Sequence, residues 1–358
     1  MTRMNNHRSY DMKRFSTFLI LLALVAGMVF LCGCTSAPQK SETAASNVTA
    51  PVKSAETGPK TVLNIGYQPS THQMAFMTAY SKGWYNETLI PLGIKSVKPF
   101  NFPTGAPEMQ AMLAGDLDFA YVGSAPFVTA VASGLDAKII GAVQTQGSDL
   151  VLRTGLNYTT PADLKGLKIA TFPAGTIQDT ILRTWLKEQG LDTTKDVEII
   201  AMGPGDATTA IIAGKVDAVF LPAPAPTTVE AAGAGKVIVH SGEMAKDHAC
   251  CVLVASGKMI KENPEIVQEI LNIHQKATAY NKQNIAEAAG YMASLTGMNA
   301  SVITRSLEEW DGQWVADPAI IEKSVTGYAA EQQALGYIKK NVTEQDLFDT
   351  SFWKKVPQ

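Results

Sequence analysis

The chain has 358 residues, of which 46% are hydrophobic and 18% charged, and its formal net charge at pH 7 is −3. A slight acidic excess argues against a nucleic-acid-binding protein, because such proteins carry basic surfaces that neutralise phosphates. About 300 residues remain after residue 60, which is enough for two domains of ordinary size.

The amino-terminal segment has the order of parts of an export signal. Two basic residues precede an uncharged apolar run over 15–31, and the sequence Leu-Cys-Gly-Cys follows at 31–34. This order predicts a signal peptide over 1–33 with a lipobox, in which Cys34 is lipidated and becomes the first mature residue. An uncleaved membrane anchor is the alternative. Both interpretations place the folded part at the extracytoplasmic face of the cell membrane.

Residues 34–60 differ in composition from the rest of the chain. They are rich in Ser, Thr, Ala and Pro and contain no aromatic residue. Such a segment buries too little apolar surface to offset the entropy lost on ordering, so we predict a flexible tether. Together with a lipid on Cys34, it would hold the folded part near the membrane.

The first half of the folded part alternates strands with helices. Each predicted helix ends near a glycine, which is the residue that most readily takes the left-handed conformation at a helix end. Strands are predicted at 62–67, 94–102, 118–122 and 137–143, and helices at 73–83, 107–114 and from 123 to near Gly134.

The second half repeats this order, and part of the repeat is visible in the sequence itself. Residues 111–134 and 210–233 superpose without a gap, and nearly every apolar position is kept apolar. A repeat of this spacing predicts two similar lobes facing each other across a cleft, and the alternation predicts mostly parallel sheets. The second set of strands is predicted at 167–172, 197–202, 217–221 and 237–240, and its helices at 177–189, 207–213 and 227–233.

Two extended apolar runs connect the predicted lobes. Residues 149–153 lead into the second lobe and residues 250–254 lead out of it. We expect these runs to lie side by side as a hinge. The predicted first lobe is then discontinuous, with residues 61–149 and 254–345, including helical stretches at 262–296 and 317–340, and the second lobe is 150–253.

The loops that follow the predicted strands form a candidate binding site. In open α/β sheets, ligands lie beyond the carboxyl ends of the strands. All of these loops but 144–148 open a helix, so they present unpaired N–H groups and the positive end of the helix dipole. They contain no Arg or Lys, so we expect backbone groups to hold a small anion. The loops are 67–72, 103–107, 123–126 and 144–148 in the first lobe, and 173–177, 203–207 and 222–227 in the second.

Each single loop has an equally good interpretation as an ordinary helix start, with Ser124 and Thr176 as N-caps. Convergence of six such loops in one crevice favours a site. His72 is a candidate for a hydrogen bond to the ligand. Tyr67, Tyr121 and Phe172 stand at strand ends, where an aromatic ring lines a cleft or, more often, packs in the core.

Cys250 and Cys251 are the two cysteines beyond the lipobox. We interpret them as small buried strand residues, and a disulfide between these neighbours is a less common alternative. No second Cys or His pair stands at zinc spacing, so no metal site is predicted.

Several short motifs occur in a fixed order over residues 61–335. They are LNIGYQ at 63–68, AMLAGDLD at 111–118, GSAP at 123–126, DLKGLKIA at 163–170, PAGT at 173–176 and GKVDA at 214–218. Together they resemble the solute-binding proteins of nitrate/sulfonate/taurine-type ABC importers. The resemblance implies an α/β, two-lobed type II periplasmic-binding fold, in which each lobe is a mostly parallel sheet flanked by helices and a two-strand hinge joins the lobes.

The resemblance also implies a function. Such a protein captures a small solute, here anionic and nitrate-, sulfonate- or taurine-like, between its lobes and delivers it to an ABC permease in the membrane. We accordingly predict a monomer that is not an enzyme, with no catalytic residue, no cofactor and no nucleic-acid partner. The predicted ligand-binding residues are Gln68, His72, Gly105, Ala106, Gly123, Ser124, Ala125, Gln144, Thr145, Gly175, Thr176, Ile177, Pro222, Ala223 and Pro224.

Two features leave the function open at this stage. The sequence LPAPAP at 221–226 stands where family members often carry an aromatic or acidic residue, so the solute is not identified. The same fold also serves enzymes of pyrimidine-precursor biosynthesis and sensory lipoproteins. The chain has no P-loop, no Gly-X-Ser-X-Gly and no His-Glu-X-X-His, which favours a binding protein over an enzyme.

Overall fold

The structure is a computed structural model that describes residues 59–357. The predicted signal peptide, Cys34 and nearly all of the predicted tether therefore lie outside the described residues. Within 59–357, the structure contains no helix of the length and apolar character required to cross a membrane.

The first part of the described chain alternates strands and helices as predicted, with one short extra helix, α2. Its elements are β1 (Val62–Tyr67), a 3-10 turn (Thr71–Gln73), α1 (Met74–Ser81), α2 (Trp84–Leu89), a 3-10 turn (Ile90–Leu92), β2 (Ser96–Asn101), α3 (Gly105–Leu113), β3 (Phe119–Gly123), α4 (Ser124–Ala132) and β4 (Ala137–Thr145).

The middle part follows the same order and includes the second copy of the repeat. Its elements are β5 (Ser148–Arg153), a 3-10 turn (Pro161–Leu164), β6 (Lys168–Thr171), α5 (Ile177–Glu188), β7 (Glu198–Ala201), α6 (Pro204–Ile212), β8 (Ala218–Pro222), α7 (Ala225–Ala231), β9 (Gly235–His240) and α8 (Ser241–Met244).

The last part is mainly helical. Its elements are β10 (Ala249–Ser256), α9 (Gly257–Glu262), α10 (Pro264–Gln283), α11 (Ile285–Thr296), α12 (Ala300–Glu309), β11 (Gln313–Trp314), a 3-10 turn (Pro318–Ile320), α13 (Glu322–Ala334), α14 (Glu344–Leu347) and a final 3-10 turn (Trp353–Lys355). The elements α2, α8, α9, α12, α14 and β11 were not predicted. All are ten residues long or shorter, and short elements depend on tertiary packing more than on local pattern.

Two mixed sheets form the centres of the two lobes. The strand order is β11-β4-β10-β3-β1-β2 in the first sheet and β7-β6-β8-β5-β9 in the second. Each sheet has three adjacent parallel strands, then one antiparallel strand, then a strand paired antiparallel to that one. The first repeated segment supplies β3 of the first sheet and the helix α4 that follows it. The second supplies β8 of the second sheet and the helix α7. The two-lobed α/β fold expected from the repeat is confirmed.

The antiparallel strand of each sheet is the first strand after the chain crosses into that lobe. β5 enters the second sheet between β8 and β9, and β10 enters the first sheet between β3 and β4. Two connections therefore join the lobes, but the expectation that 149–153 and 250–254 lie side by side is wrong. Both runs are buried almost throughout, as in a central strand with a neighbour on each edge.

The connections themselves meet next to these strands. The Gln146 N–H donates a hydrogen bond to the His248 carbonyl at 3.0 Å, and Thr145 is the register partner of Ala249. Because β10 pairs with β3 and β4, residues 250–253 lie in the first sheet, whereas the sequence analysis had placed them in the second lobe.

Glycines end the predicted helices in the manner expected. All six have φ between 66° and 102°, a region that other residues enter only with strain. They are Gly83, Gly115, Gly134, Gly190, Gly214 and Gly233. The loop that follows each helix is thereby turned back toward the sheet, which returns the next strand to the same layer.

Candidate ligand-binding cleft

A cleft of about 570 Å³ lies between the two lobes. This volume falls in the range of small-molecule sites. The loops after β1, β2 and β3 line it from the first lobe, and the loops after β6, β7 and β8 line it from the second. These are six of the seven predicted loops, and the seventh, 144–148, does not contribute to the lining.

Nine of the predicted ligand-binding residues line the cleft. They are Gln68, His72, Gly105, Gly123, Thr176, Ile177, Pro222, Ala223 and Pro224. The other six, Ala106, Ser124, Ala125, Gln144, Thr145 and Gly175, are not part of its lining.

Hydrogen bonds inside the protein account for four of these six residues. The Ser124 hydroxyl donates to the Ala249 carbonyl at 3.3 Å. The carbonyls of Ala125 and Gly175 both accept from the side-chain amide of Gln332, at 3.1 and 3.0 Å. Gln144 turns its amide toward the connection between the lobes, where it donates to the Thr145 carbonyl at 2.7 Å.

The lining is nearly free of charge. Among the described residues around the cleft there is no Lys or Arg, and Asp206 is the one carboxylate. Four helices of eight residues or more begin at the cleft, namely α3, α4, α5 and α6. Their first turns present unpaired N–H groups and a partial positive charge, which is the attraction that this cleft offers to an anion.

A buried carboxyl group orients Gln68 at the edge of the cleft. The Gln68 amide donates to Glu108 at 2.9 Å, and its backbone N–H donates to the Gln73 side chain at 2.6 Å. Burial raises the pKa of Glu108 well above its usual range. A methyl group at Gly66 would lie 2.7 Å from the Glu108 carboxyl oxygen, so glycine is needed at that position.

His72, Cys250 and Cys251 form the floor of the cleft. The His72 Nε2 lies 2.7 Å from the Gly147 carbonyl. Since a carbonyl only accepts, Nε2 carries the hydrogen. His72 Nδ1 then faces the sulfurs of Cys250 and Cys251, at 3.2 and 3.9 Å. The prediction of buried strand cysteines is confirmed, and both thiols are free.

The two thiols influence each other because their sulfurs are 3.8 Å apart. The hydrogen bond from Cys250 lowers the pKa of Cys251 to about 5. The same interaction, together with burial, raises the pKa of Cys250 well above its usual range.

Direct contacts join the lobes beneath the cleft. The N–H and the hydroxyl of Thr71 both donate to the Ala223 carbonyl, at 3.1 and 3.0 Å. The Ala223 N–H donates in turn to the Gly147 carbonyl at 3.1 Å. Loops 67–72 and 222–227 are thus held against the connection between the lobes.

A second polar cluster fastens the connections on the side of α8. His240 Nδ1 lies 2.7 Å from the Asp149 carboxylate. The Asp311 carboxylate accepts the N–H groups of Gly147 and Gly242, at 2.8 and 2.6 Å. The hydrogen bond to Asp149 raises the pKa of His240 to about 9.

Several lining residues were not in the predicted set. Gln73, Asn101 and Gln178 add side-chain amides, and each stands within a few residues of a predicted loop. Phe172 lines the cleft, whereas Tyr67 and Tyr121 are buried in the core. Met298 reaches the cleft from the turn between α11 and α12, and no local pattern marked it.

Solved structures with this fold include proteins named for binding sulfonates and nitrate. The alkanesulfonate-binding protein SsuA from Xanthomonas axonopodis pv. citri, bound to MOPS, has a TM-score of 0.72 and 21% identity, over 81% of this chain and 99% of that one. The periplasmic nitrate-binding protein NrtA from Synechocystis PCC 6803 has a TM-score of 0.73 and 17% identity, over 83% and 88%. This chain therefore has the periplasmic-binding-protein fold.

Sequence comparison identifies the family of this chain. The profile of the NMT1-like family matches residues 56–296, more than half of the chain, and the chain belongs to that family. A Bacillus subtilis protein named for binding aliphatic sulfonates is 26% identical over 298 residues, covering 82% of this chain and 87% of the relative. The nitrate/nitrite binding protein NrtA of Nostoc is 23% identical, covering 93% and 87%. The resemblance predicted from the motifs is confirmed, and these relatives are binding proteins rather than enzymes.

Proposed function

We propose that this chain is the solute receptor of an ABC importer. It captures a small solute between its lobes and presents it to a permease in the membrane. The supporting observation is the cleft, which is lined by six loops at the carboxyl ends of parallel strands. Relatives named for binding sulfonates and nitrate support the same function.

The proposed solute is a small anion of the nitrate, sulfonate or taurine kind. The described lining offers it backbone N–H groups at four helix starts together with the amides of Gln68, Gln73 and Gln178. Without a cationic lining residue, electrostatic attraction comes from the helix dipoles. Asp206 at the start of α6 favours a solute that also carries an amino or hydroxyl group, as taurine does.

The proposed place of action is the outer face of the cell membrane. Lipidation of Cys34 would anchor the chain there, and the segment 34–60 would let the lobes reach the permease. We propose that the receptor acts as a monomer.

A thermal-shift screen of the full chain tests the proposal. We expect one of nitrate, taurine, alkanesulfonates or small carboxylates at millimolar concentration to raise Tm, because a ligand at a hundred times its Kd stabilises the folded state by about 2.7 kcal/mol. Compounds related to the thiamine pyrimidine serve as a non-anionic arm of the screen. If no anion shifts Tm, the proposed solute class is wrong.

A matched pair of variants locates the binding. Thr208 lines the cleft, and its neighbour Thr209 is exposed on the outside of α6. Thr208→Trp fills the cleft and is expected to abolish the ligand-induced shift. Thr209→Trp is expected to retain it. Equal shifts in both variants would place the binding outside the cleft.

A further inference from the structure

The floor of the cleft carries a group of thiol and imidazole side chains. His72, Cys250 and Cys251, here called the thiol–imidazole cluster, are only 1%, 2% and 4% exposed. One atom from each, a ring nitrogen and two sulfurs, lies within 4.8 Å of the other two. Imidazole nitrogen and thiolate sulfur are the ligands that zinc and copper(I) prefer in proteins.

The spacing of the three atoms fits one tetrahedral metal ion. With metal–sulfur bonds of about 2.3 Å and metal–nitrogen bonds of about 2.0 Å, tetrahedral geometry separates two sulfurs by roughly 3.8 Å and a sulfur from a nitrogen by roughly 3.5 Å. The sulfurs of Cys250 and Cys251 are 3.8 Å apart. Their distances to His72 Nδ1 are 3.2 and 3.9 Å, on either side of the ideal value.

An irregularity in β10 accounts for the position of the two sulfurs. Neighbouring residues of a regular strand point to opposite faces of the sheet. In β10 the register with β4 shifts between Ala249 and Cys251, and again between Cys251 and Val252. A β-bulge of this kind re-aims side chains and is common beside functional sites. Here it brings two adjacent sulfurs to one side.

Hydrogen bonds around the cluster resemble the outer shell of a metal site. Metal-binding histidines donate their second ring N–H to a carbonyl or carboxylate, and His72 Nε2 meets the Gly147 carbonyl in this way. The Nδ1 lone pair is thereby directed at the sulfurs. The amides of Gln178 and Gln73 approach Cys250 and Cys251 at 3.9 and 3.8 Å, which is suited to a negatively charged thiolate.

We propose that the thiol–imidazole cluster binds one metal ion of the Zn²⁺ or Cu⁺ class through His72 Nδ1 and the two cysteine sulfurs. All three residues line the cleft, so the fourth coordination position faces the solute space. The thiol protons pass to solvent as the metal–sulfur bonds form. This site is additional to the proposed solute function, and metal binding requires no solute.

Metal titration of the full chain tests the proposal. We use a Cys32→Ser/Cys34→Ser background, so that Cys250 and Cys251 carry the only thiols. In the presence of a non-thiol reductant, we expect one Zn²⁺ per chain in competition with a chromogenic chelator. Co²⁺ as a probe is expected to show thiolate-to-cobalt charge-transfer absorption. A Cu⁺ titration under the same conditions decides which ion binds more tightly.

Single substitutions identify the ligands. Loss of an outer-shell partner typically lowers metal affinity 10- to 100-fold, so Cys250→Ser, Cys251→Ser and His72→Gln are each expected to lower it by more than about 100-fold. His274→Gln removes a histidine that is equally buried but outside the cluster, and is expected to leave the affinity unchanged.

A measurement without substitutions covers the case in which these variants fold poorly. Bound Zn²⁺ is expected to protect both thiols of the background chain from alkylation. Unprotected thiols, the absence of charge-transfer absorption with Co²⁺, or an affinity that Cys250→Ser leaves unchanged would overturn the proposal. None of these results depends on a solute, so the metal site and the solute site are tested separately.

Discussion

At the scale of single residues, the connection between the lobes depends on a histidine that holds a proton. His240 is hydrogen-bonded to Asp149, whose pKa is raised by burial and lowered by this hydrogen bond. Asp311 and Glu243 add further negative charge around the same ring. Because the pKa of His240 rises from 6.5 to about 9, the charged imidazole stabilises the folded protein.

The first prediction concerns the pH dependence of this pair. The stabilisation is fully present below pH 6.5 and is lost as pH rises toward 9, because the unfolded chain gives up its proton first. We expect His240→Asn to lower the free energy of unfolding at pH 6 by about 1–2 kcal/mol, because a hydrogen bond to a charged group contributes about 1.5–3 kcal/mol and solvent screens the partly exposed imidazole.

Urea unfolding of both proteins between pH 6 and pH 10 measures this difference. The gap between wild type and His240→Asn is expected to narrow above pH 8. A gap of constant size over this range would mean that the proton on His240 does not stabilise the fold.

At the scale of elements, α13 fastens the two lobes near the entrance of the cleft. The Gln332 amide donates to the carbonyl of Ala125 in α4 and to that of Gly175 before α5. Its own oxygen accepts from the Thr129 hydroxyl at 3.1 Å. One buried side chain thus satisfies polar groups from both lobes.

The second prediction tests this contact. Gln332→Leu keeps the volume close to that of glutamine but removes the side-chain donor to the buried Gly175 carbonyl, whereas the Ala125 carbonyl still accepts from the Thr129 hydroxyl at 3.2 Å. We expect a loss of about 1–3 kcal/mol in the free energy of unfolding. Gln333 is the exposed neighbour in the same helix. Gln333→Leu is expected to stay within about 0.5 kcal/mol of wild type.

Chemical unfolding of the two variants makes the comparison direct. Equal stabilities would show that the helix is held by its apolar face alone. A loss confined to Gln332→Leu would assign the contact to the buried amide.

At the scale of the whole molecule, the lobes touch beneath the cleft through Thr71 and Ala223. Two connections join them, and small φ and ψ changes at such connections can produce hinge closure. If the proposed solute binds when the lobes touch in this way, contacts between the lobes that form only in that arrangement contribute to the affinity for the solute.

The third prediction follows from that contact. Thr71→Val removes the hydroxyl donor to Ala223 and retains the backbone bond, so we expect solute affinity to fall by about three- to tenfold, as for one hydrogen bond. X-ray scattering is expected to show a larger radius of gyration for the solute-free variant than for wild type. Thr209→Val, on the outside of α6, serves as the control for loss of a hydroxyl.

The interpretation of the affinity measurement depends on whether the wild-type protein binds the proposed solute. If Thr71→Val and wild type bind the solute equally, closure does not contribute through this contact. If neither binds, the proposed solute is wrong, and the scattering comparison still reports on the arrangement of the lobes.

Several particular elements explain why the sequence predicted so much of this fold. Gly115 and Gly214 stand at matched positions of the repeat, and both end a helix with positive φ. Glycine conformations and apolar periodicity act over a few residues, so they can be recognised without tertiary contacts. The loops after the strands could also be placed at one edge of each sheet, because parallel strands end on the same side of a sheet.

The insertion of β5 between β8 and β9 and of β10 between β3 and β4 could not be predicted in this way. Both strands are apolar runs, and their composition does not indicate which strands they pair with. The position of β10 in the first sheet also brings the Cys250 sulfur to within 3.2 Å of His72 Nδ1, although the two residues are 178 positions apart in the chain. Cysteine spacing did not reveal the thiol–imidazole cluster, because spacing reports only which residues are close in sequence.

The amino-acid sequence alone thus determined the alternation of strands and helices, the helix ends, the duplication and the loops from which a binding site is built, because these are encoded by short-range patterns of apolar residues and glycine. Only the tertiary structure decided which sheet each connecting strand joins, which six of the fifteen predicted residues turn away from the cleft, and which side chains meet at its floor. Those outcomes depend on pairing and packing between segments far apart in the chain, where many arrangements share the same local pattern and the burial of the whole core selects one.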